Sequence, residues 1–280
     1  MKSLRDQLVA PSGTKLTDRD PEASPLAPGS KDKTLRGLAK DGAELAALQE
    51  CLYAEGKGGG TRSVLLVLQG MDASGKDGVV KHVIGQVNPA GVRLTSFGKP
   101  TKSELAHDFL WRINRALPPA GYLGIFNRSH YEDVLVVKVH KWAPAREITR
   151  RYRAINEWEA GLVTSGTTVV KCLLHMSPEQ QRRRLEARLD DPTKHWKWNT
   201  DDLDERLLWP DYMAAYQAAL DKCSTDVAPW FVVPSDRKWY RNWAIGRLLL
   251  ETMREMKPQW PDPGLDVPAL KARLESDGVR

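Results

Sequence analysis

The chain has 280 residues, is 41% hydrophobic and carries a formal net charge of +6. That is enough apolar material for one large domain with a full core. No apolar run approaches the roughly 20 residues needed to cross a bilayer, and residues 1–15 lack the apolar stretch of a signal peptide. The three cysteines, Cys51, Cys172 and Cys223, form no C-x-x-C pair, which suits reduced structural thiols in a cytoplasmic protein rather than disulfides or zinc ligands. The basic balance fits a polyanionic partner, whether nucleic acid, a phosphate chain or a charged nucleotide.

In chain order, residues 1–33 are polar and carry Pro11, Pro21, Pro25 and Pro28, so they are expected to form an N-terminal extension that wraps the surface or stays mobile. Thr34 to Glu55 reads as a helix with Leu35, Leu38, Leu45, Leu48 and Leu52 as its apolar stripe. After a loop at Gly56 to Gly60, the continuous apolar run Val64 to Leu68 predicts a strand buried on both faces. It ends at Gly70, and from Gly78 onward Val79, Val80, Val83 and Val87 recur at helical spacing. Strand, glycine-bounded loop and helix make the frame in which backbone N–H groups and a helix N-terminus cradle an anion.

Gly70, Gly75 and Lys76 fall at the G-x-x-x-x-G-K spacing of a Walker A loop, but Asp77 stands where a Ser or Thr usually binds Mg²⁺, and a second carboxylate, Asp72, lies within the loop. A carboxylate among phosphates repels them unless a cation lies between, so Asp72 reads as a ligand of phosphate-bound Mg²⁺.

Beyond this helix, Val92 to Phe97 predicts a second strand, and Ser103 is expected to cap a helix running to Leu117 with Leu105, Phe109, Leu110 and Ile113 inward. Strands follow at Tyr122 to Phe126, Thr168 to His175 and Trp230 to Val233, with helical patterns between them. The alternation predicts a five-stranded parallel sheet covered on both faces, with ligands at the strand C-terminal ends. The strand at Tyr122 leads into Asn127-Arg128, where a phosphate-loop enzyme often has its second metal-site acid. Asn127 binds a cation weakly, leaving Asp72 and either Glu132 or Asp133 as ligands, and Arg128 is placed to reach a phosphate.

Ser177 with Gln180 forms a capping-box pattern at the head of a helix that Pro192 stops. Arg184 and Arg188 share a face four residues apart, and Lys194 and Lys197 follow, so about 177–200 reads as a movable lid over phosphates. Trp196 and Trp198 either stack on a base or pack. Long helices are expected at Asp201 to Leu220 and Arg237 to Met256, the latter with Trp239, Trp243, Leu248, Leu249 and Met253 inward, and a tail at 257–280 holds a short helix near Val267 to Leu274. The histidines show no metal-ligand spacing.

Four stretches, Gly70-Met-Asp-Ala-Ser-Gly-Lys-Asp-Gly78, Asn127-Arg-Ser-His-Tyr-Glu-Asp-Val134, Arg188-Leu-Asp-Asp-Pro-Thr-Lys-His-Trp-Lys197 and Ala228-Pro-Trp-Phe-Val-Val-Pro-Ser-Asp-Arg-Lys-Trp-Tyr240, resemble in order the signatures of the polyphosphate kinase 2 family. The resemblance covers residues 34–256. It implies an α/β fold of the thymidylate-kinase-like P-loop class, three layers α/β/α with a helical lid, transferring phosphoryl groups reversibly between inorganic polyphosphate and nucleotides. By motif position, Asp72, Lys76, Arg128 and Arg188 would be catalytic, with Asp72 on the metal. Gly70, Ala73, Ser74, Gly75, Asp77, Gly78, Lys81, Asn127, Glu132, Lys194 and Lys197 would bind polyphosphate or nucleotide. Many family members carry Asp at the position of Asn127 and Asn at that of Glu132, which leaves open which of the two replaces the second metal-site acid. The run Asn-Arg-Ser-x-Tyr-Glu resembles the subgroup acting on AMP as well as ADP. The resemblance also implies Mg²⁺, with Mn²⁺ as a substitute, and adenine nucleotides as partners, guanine nucleotides being open. Neither nucleic acid nor membrane is expected, and a homo-oligomer is. Two other readings stay open: an ATP-dependent nucleoside-monophosphate kinase, against which Asp77 and Asp72 argue, and a nucleic-acid-binding protein, which gives no reason for a phosphate loop.

Overall fold

A computed structural model of the chain describes residues 3–276. The first segment holds α1 (Leu4–Leu8) and β1 (Val9–Ala10), followed by α2 (Lys31–Lys57), β2 (Ser63–Gln69), α3 (Lys76–His82) and β3 (Val92–Ser96). Next come α4 (Lys102–Leu105), α5 (Trp111–Ala116), β4 (Leu123–Asn127), α6 (Val136–Val139), α7 (Ala145–Thr164) and β5 (Thr167–His175). The chain continues through α8 (Pro178–Leu189), α9 (Asp201–Leu207), α10 (Trp209–Cys223), β6 (Trp230–Pro234), α11 (Lys238–Met256) and α12 (Val267–Ser276). Among the described residues no helix is long and apolar enough to cross a membrane.

The strands form one sheet in the order β1-β6-β5-β2-β4-β3. Its parallel part contains the five expected strands, with Val64 opposite both Leu123 of β4 and Thr168 of β5. Every residue of the central β2 is buried, as its unbroken apolar run requires. Alternate side chains divide between two cores. Val64, Leu66 and Leu68 face α2, α3 and α11, whereas Leu65 and Val67 face the layer of α5, α7 and α10. This is the expected three-layer arrangement. From β2 the chain turns to β3 and β4 on one side and then crosses to β5 and β6 on the other, so the loop after β2 lies at a topological switch point, where open α/β sheets bind ligands.

Several elements differ from expectation. The sheet has a sixth strand: β1 pairs antiparallel with β6, Val9 opposite Phe231 and Ala10 opposite Trp230. Leu4, Leu8, Ala10 and Leu16 are buried, so this part of the N-terminal segment is packed into the domain rather than lying loosely over it. The helix expected from Ser103 to Leu117 is two short helices. Thr101, not Ser103, caps the first in a capping box with Glu104 (Glu104 N to Thr101 Oγ1, 3.3 Å), and Leu105 is 70% exposed. The side chain of Asp108 accepts from Leu110 N at 3.0 Å in the break. Likewise, the helix expected from Asp201 to Leu220 breaks at Leu208, where Pro210 takes a first-turn position of α10. The helix after the phosphate loop is α-helical only to His82 and continues as a 3-10 turn at Ile84–Gln86.

Candidate active site

The phosphate loop runs from Gly70 to Gly78 between β2 and α3. Its backbone is unusual where the sequence puts glycine: Gly75, which precedes α3, has φ +106°, and a Cβ there would fall on the guanidinium of Arg241. Ala73 shares the left-handed region at φ +62° without glycine's freedom, a local strain of the kind that collects at binding loops. Lys76 folds back over the loop, donating from Nζ to Gly70 O at 2.7 Å and Met71 O at 3.3 Å.

The C-terminal end of β4 delivers Asn127 and Arg128 beside it, because β4 pairs with β2 with Leu68 opposite Asn127. Arg128, also left-handed at φ +62°, donates to Asp72 at 2.6 Å, and Asn127 Nδ2 donates to Asp77 Oδ1 at 2.9 Å. Arg188, near the end of α8, closes the far side and pairs with Asp202 at 3.1 Å. Asp72, Lys76, Asp77, Asn127, Arg128 and Arg188 thus line one cleft of about 390 Å³, with Ala73 and Gly75 in its wall.

The electrostatics follow from this crowding. Burial acts to raise the carboxyl of Asp72, but Lys76, Arg128 and Arg188 outweigh it and hold the group below the usual carboxylate range, ionised. Burial pulls the Lys76 ammonium down, opposed by Asp72. Arg128 is pushed above its ordinary value: Asp72 and Glu132 overcome its desolvation. The result is an ionised carboxylate surrounded by cations in a cleft open to a ligand.

The other expected residues stand apart from this cleft. Ser74 is fully buried in the loop and its Oγ has no partner among the described residues. Glu132 lies half-buried in a 3-10 turn, His130–Asp133, acting on Lys76 and Arg128 through its charge. Lys81 is exposed in the last turn of α3. Lys194 pairs with Asp191 at 2.6 Å, and Lys197 lies over the ring of Trp196, which is 79% exposed. Arg184 does not share solvent with Arg188. It is buried under the loop, donating to Ala73 O and Ser74 O at 2.9 Å each.

Other contributors were not apparent from sequence. Arg241 of α11 also donates to Ser74 O at 2.9 Å, and Gln181 Nε2 donates to Asp72 O at 3.0 Å. Asp236 accepts from Ser177 N and Oγ at 2.9 and 2.6 Å, tying the start of α8 to the turn after β6. Beneath the Asn127-Arg128 turn, buried Lys171 donates to Glu159 at 2.5 Å, Tyr131 Oη at 2.8 Å and Cys223 O at 2.7 Å, while His130 approaches Glu159 at 3.2 Å. Among the described residues no cluster of three His, Cys, Asp or Glu side chains is arranged to hold a metal on its own.

Comparison with known proteins adds an independent line. Residues 29–261 match the family model described as polyphosphate kinase 2. The AMP/ADP-polyphosphate phosphotransferase of Meiothermus ruber is 48% identical over 264 residues, 94% of this chain and 96% of the relative. The ADP-polyphosphate phosphotransferase of Rhodopseudomonas palustris is 42% identical over 230 residues, 78% of each chain. A crystal structure of polyphosphate kinase 2 from Arthrobacter aurescens superimposes with a TM-score of 0.94 at 49% identity, covering 98% of this chain and 97% of that one.

Proposed function

The chain belongs to the polyphosphate kinase 2 family, and from that premise we propose that it transfers phosphoryl groups from inorganic polyphosphate to adenine nucleotides, taking AMP to ADP and ADP to ATP. The observation that carries this reading is the convergence of Asp72, Lys76, Arg128 and Arg188 on one cleft at the switch point of the sheet. Three cations and the Asp72 carboxylate are what a polyphosphate end facing a nucleotide phosphate requires: positive charge for their oxygens, and an anionic side chain for the cation that travels with them.

In this reading the loop and Lys76 receive the end of the donor chain. Arg128, now held on Asp72, exchanges that carboxylate for phosphate oxygens, and Arg188, at the end of the lid helix, neutralises charge as the phosphoryl group moves. The terminal oxygen of the acceptor nucleotide attacks the end phosphorus of the polyphosphate in line. The bridging P–O bond breaks, the donor chain shortens by one phosphate, and no covalent enzyme intermediate forms. Asp72 offers the hard, ionised oxygen donor that magnesium takes, and the phosphates would supply most of the remaining ligands. When bound there, the ion supplies charge neutralisation between donor and acceptor, and manganese suits the same oxygen donors. Lys194 and Lys197, on the segment after α8, serve as lid residues of the 34–256 domain; within 177–200 the part that moves is the stretch beyond Arg188, because Ser177 and Arg184 anchor the body of α8 to the turn after β6 and to the loop.

Incubation with Mg²⁺, long-chain polyphosphate and AMP or ADP, followed by nucleotide chromatography, tests the proposal. Successive appearance of ADP and ATP from AMP is the expected result. ATP from ADP alone would restrict the acceptor, and no product without an added nucleoside triphosphate would turn the reading towards an ATP-dependent kinase.

A further inference from the structure

Arg184 and Arg241 lie behind the phosphate loop, 7% and 2% exposed, and neither forms an ion pair with a carboxylate among the described residues. Their polar contacts are with neutral groups. Arg184 donates to the carbonyls of Ala73, Ser74, Ser235 and Asp236; Arg241 donates to Ser74 O and, through Nε and Nη2, to the amide oxygen of Asn242. The carboxylate of Asp236 is engaged by Ser177 and acts on Arg184 only through space. Each arginine also repels its neighbour: the charge of Arg184 disfavours that of Arg241. Two like charges taken out of water with no carboxylate in contact with either are costly, and a protein gains little in stability by keeping them.

What they do to the loop is specific. Both guanidinium groups converge on one atom, the carbonyl oxygen of Ser74, at 2.9 Å each. All described peptide bonds are trans, and a trans peptide carries its C=O and N–H on opposite sides. Fixing Ser74 O towards the interior therefore turns the N–H of Gly75 the other way, towards the cleft that Gly75 lines. The missing Cβ atoms of Gly75 and Gly78 leave the room that the Arg241 guanidinium fills.

We propose that Arg184 and Arg241 are positioning residues for the polyphosphate donor: they clamp the loop so that the Gly75 N–H faces the cleft and set fixed positive charge behind it, with the donor's terminal phosphate as the anion they lack. This rests on the reading above that the loop receives the donor. It assigns to the pair an effect on polyphosphate binding and little on the nucleotide, which meets the enzyme at the far side of the transferred group.

The test is steady-state kinetics of Arg241→Met and Arg241→Lys with each substrate varied in turn, alongside thermal unfolding. One buried charge acting through the protein interior on an anion should raise the polyphosphate KM of Arg241→Met about tenfold or more. The nucleotide KM should stay within about twofold. Arg241→Lys should recover most of the loss because it keeps the charge. The thermal midpoint of Arg241→Met should be equal to the parent's or higher, since an apolar side chain replaces an uncompensated charge. Unchanged KM values for both substrates would overturn the role of the arginines while leaving the site reading intact. A rise confined to the nucleotide KM would overturn the assignment of the loop to the donor, and the proposal with it. Should Arg241→Met not fold, Arg241→Gln and Arg184→Gln decide: the rise in thermal midpoint that tripolyphosphate gives the parent protein should shrink in each, and an undiminished rise in both would overturn the proposal.

Discussion

Asp72 and Lys76 face each other across the loop with opposite charge, and each shifts the other's ionisation. Transfer between two polyanions has little covalent work for the protein, so nearly all the rate must come from charge and position. Losing either group leaves a phosphate oxygen or its accompanying cation without a partner in the transition state. We therefore expect Lys76→Ala and Asp72→Ala each to lower kcat by about 10²–10³-fold or more while the protein stays folded. Phosphotransfer rates paired with circular dichroism would check this, and near-parental turnover in either variant would remove the residue from the catalytic set. The place of Arg128 in the cleft was legible from its position after a strand. Its present bond to Asp72 was not, because a strand pattern does not reveal which neighbour an arginine finds across the sheet.

At the scale of elements, the turn after β4 that presents Asn127 and Arg128 rests on a buried polar cluster linking it to α7 and β5 through His130, Tyr131, Glu159 and Lys171. Burial lowers the ionisation of His130 below its ordinary value, Glu159 opposing; for Glu159, burial acts upward but Lys171 and His130 bring the carboxyl down. In both cases the unfolded chain binds more protons than the folded one, so stability rises with pH and falls as pH drops. For His130 the loss begins near the unfolded value of about 6.5, and for Glu159 it follows below about 4.3. Thermal midpoints should therefore decline on acidification from about pH 7 to 5. His130→Phe should flatten that decline, and an unaltered slope would show that the histidine contributes nothing. This cluster also shows where sequence reading stops. The five parallel strands and the loop were legible because apolar runs and glycine spacing are local signals. Lys171 lies within an apolar strand and carries no signal of its own, and Arg184 reads with Arg188 as a lid residue over phosphates; only tertiary packing shows that both are buried. The breaks at Asp108 and Leu208 escaped for a similar reason: a side-chain cap and a first-turn proline divide runs whose apolar periodicity alone is continuous.

The molecule as a whole is finished by a segment that composition marks as a polar extension. Two residues, Val9 and Ala10, give no periodicity to read, yet they cover the β6 edge, which would otherwise present unpaired backbone groups to other chains. Around them Leu4, Leu8 and Leu16 are buried, Arg5 donates to Thr252 at 2.7 Å, and Arg19 holds the carbonyl of Val9 at 2.8 Å. Burying a leucine side chain is worth about 1.5–3 kcal/mol, so removing residues 1–18 should cost on the order of 5 kcal/mol, a large part of the roughly 5–15 kcal/mol that holds a domain folded. That corresponds to a thermal midpoint lower by roughly 10–20 °C. The cleft is built from the loop after β2 with the start of α3, the end of β3 and the residues after it, the turn after β4, and α8, none of which lies in the deleted segment. Polyphosphate-dependent transfer per folded molecule should therefore persist at low temperature while the truncated protein aggregates through the bared β6 edge as its concentration rises. Scanning calorimetry and light scattering on the truncated and full chains read both effects. An unchanged midpoint would mean that this segment contributes no stability to the folded domain in solution.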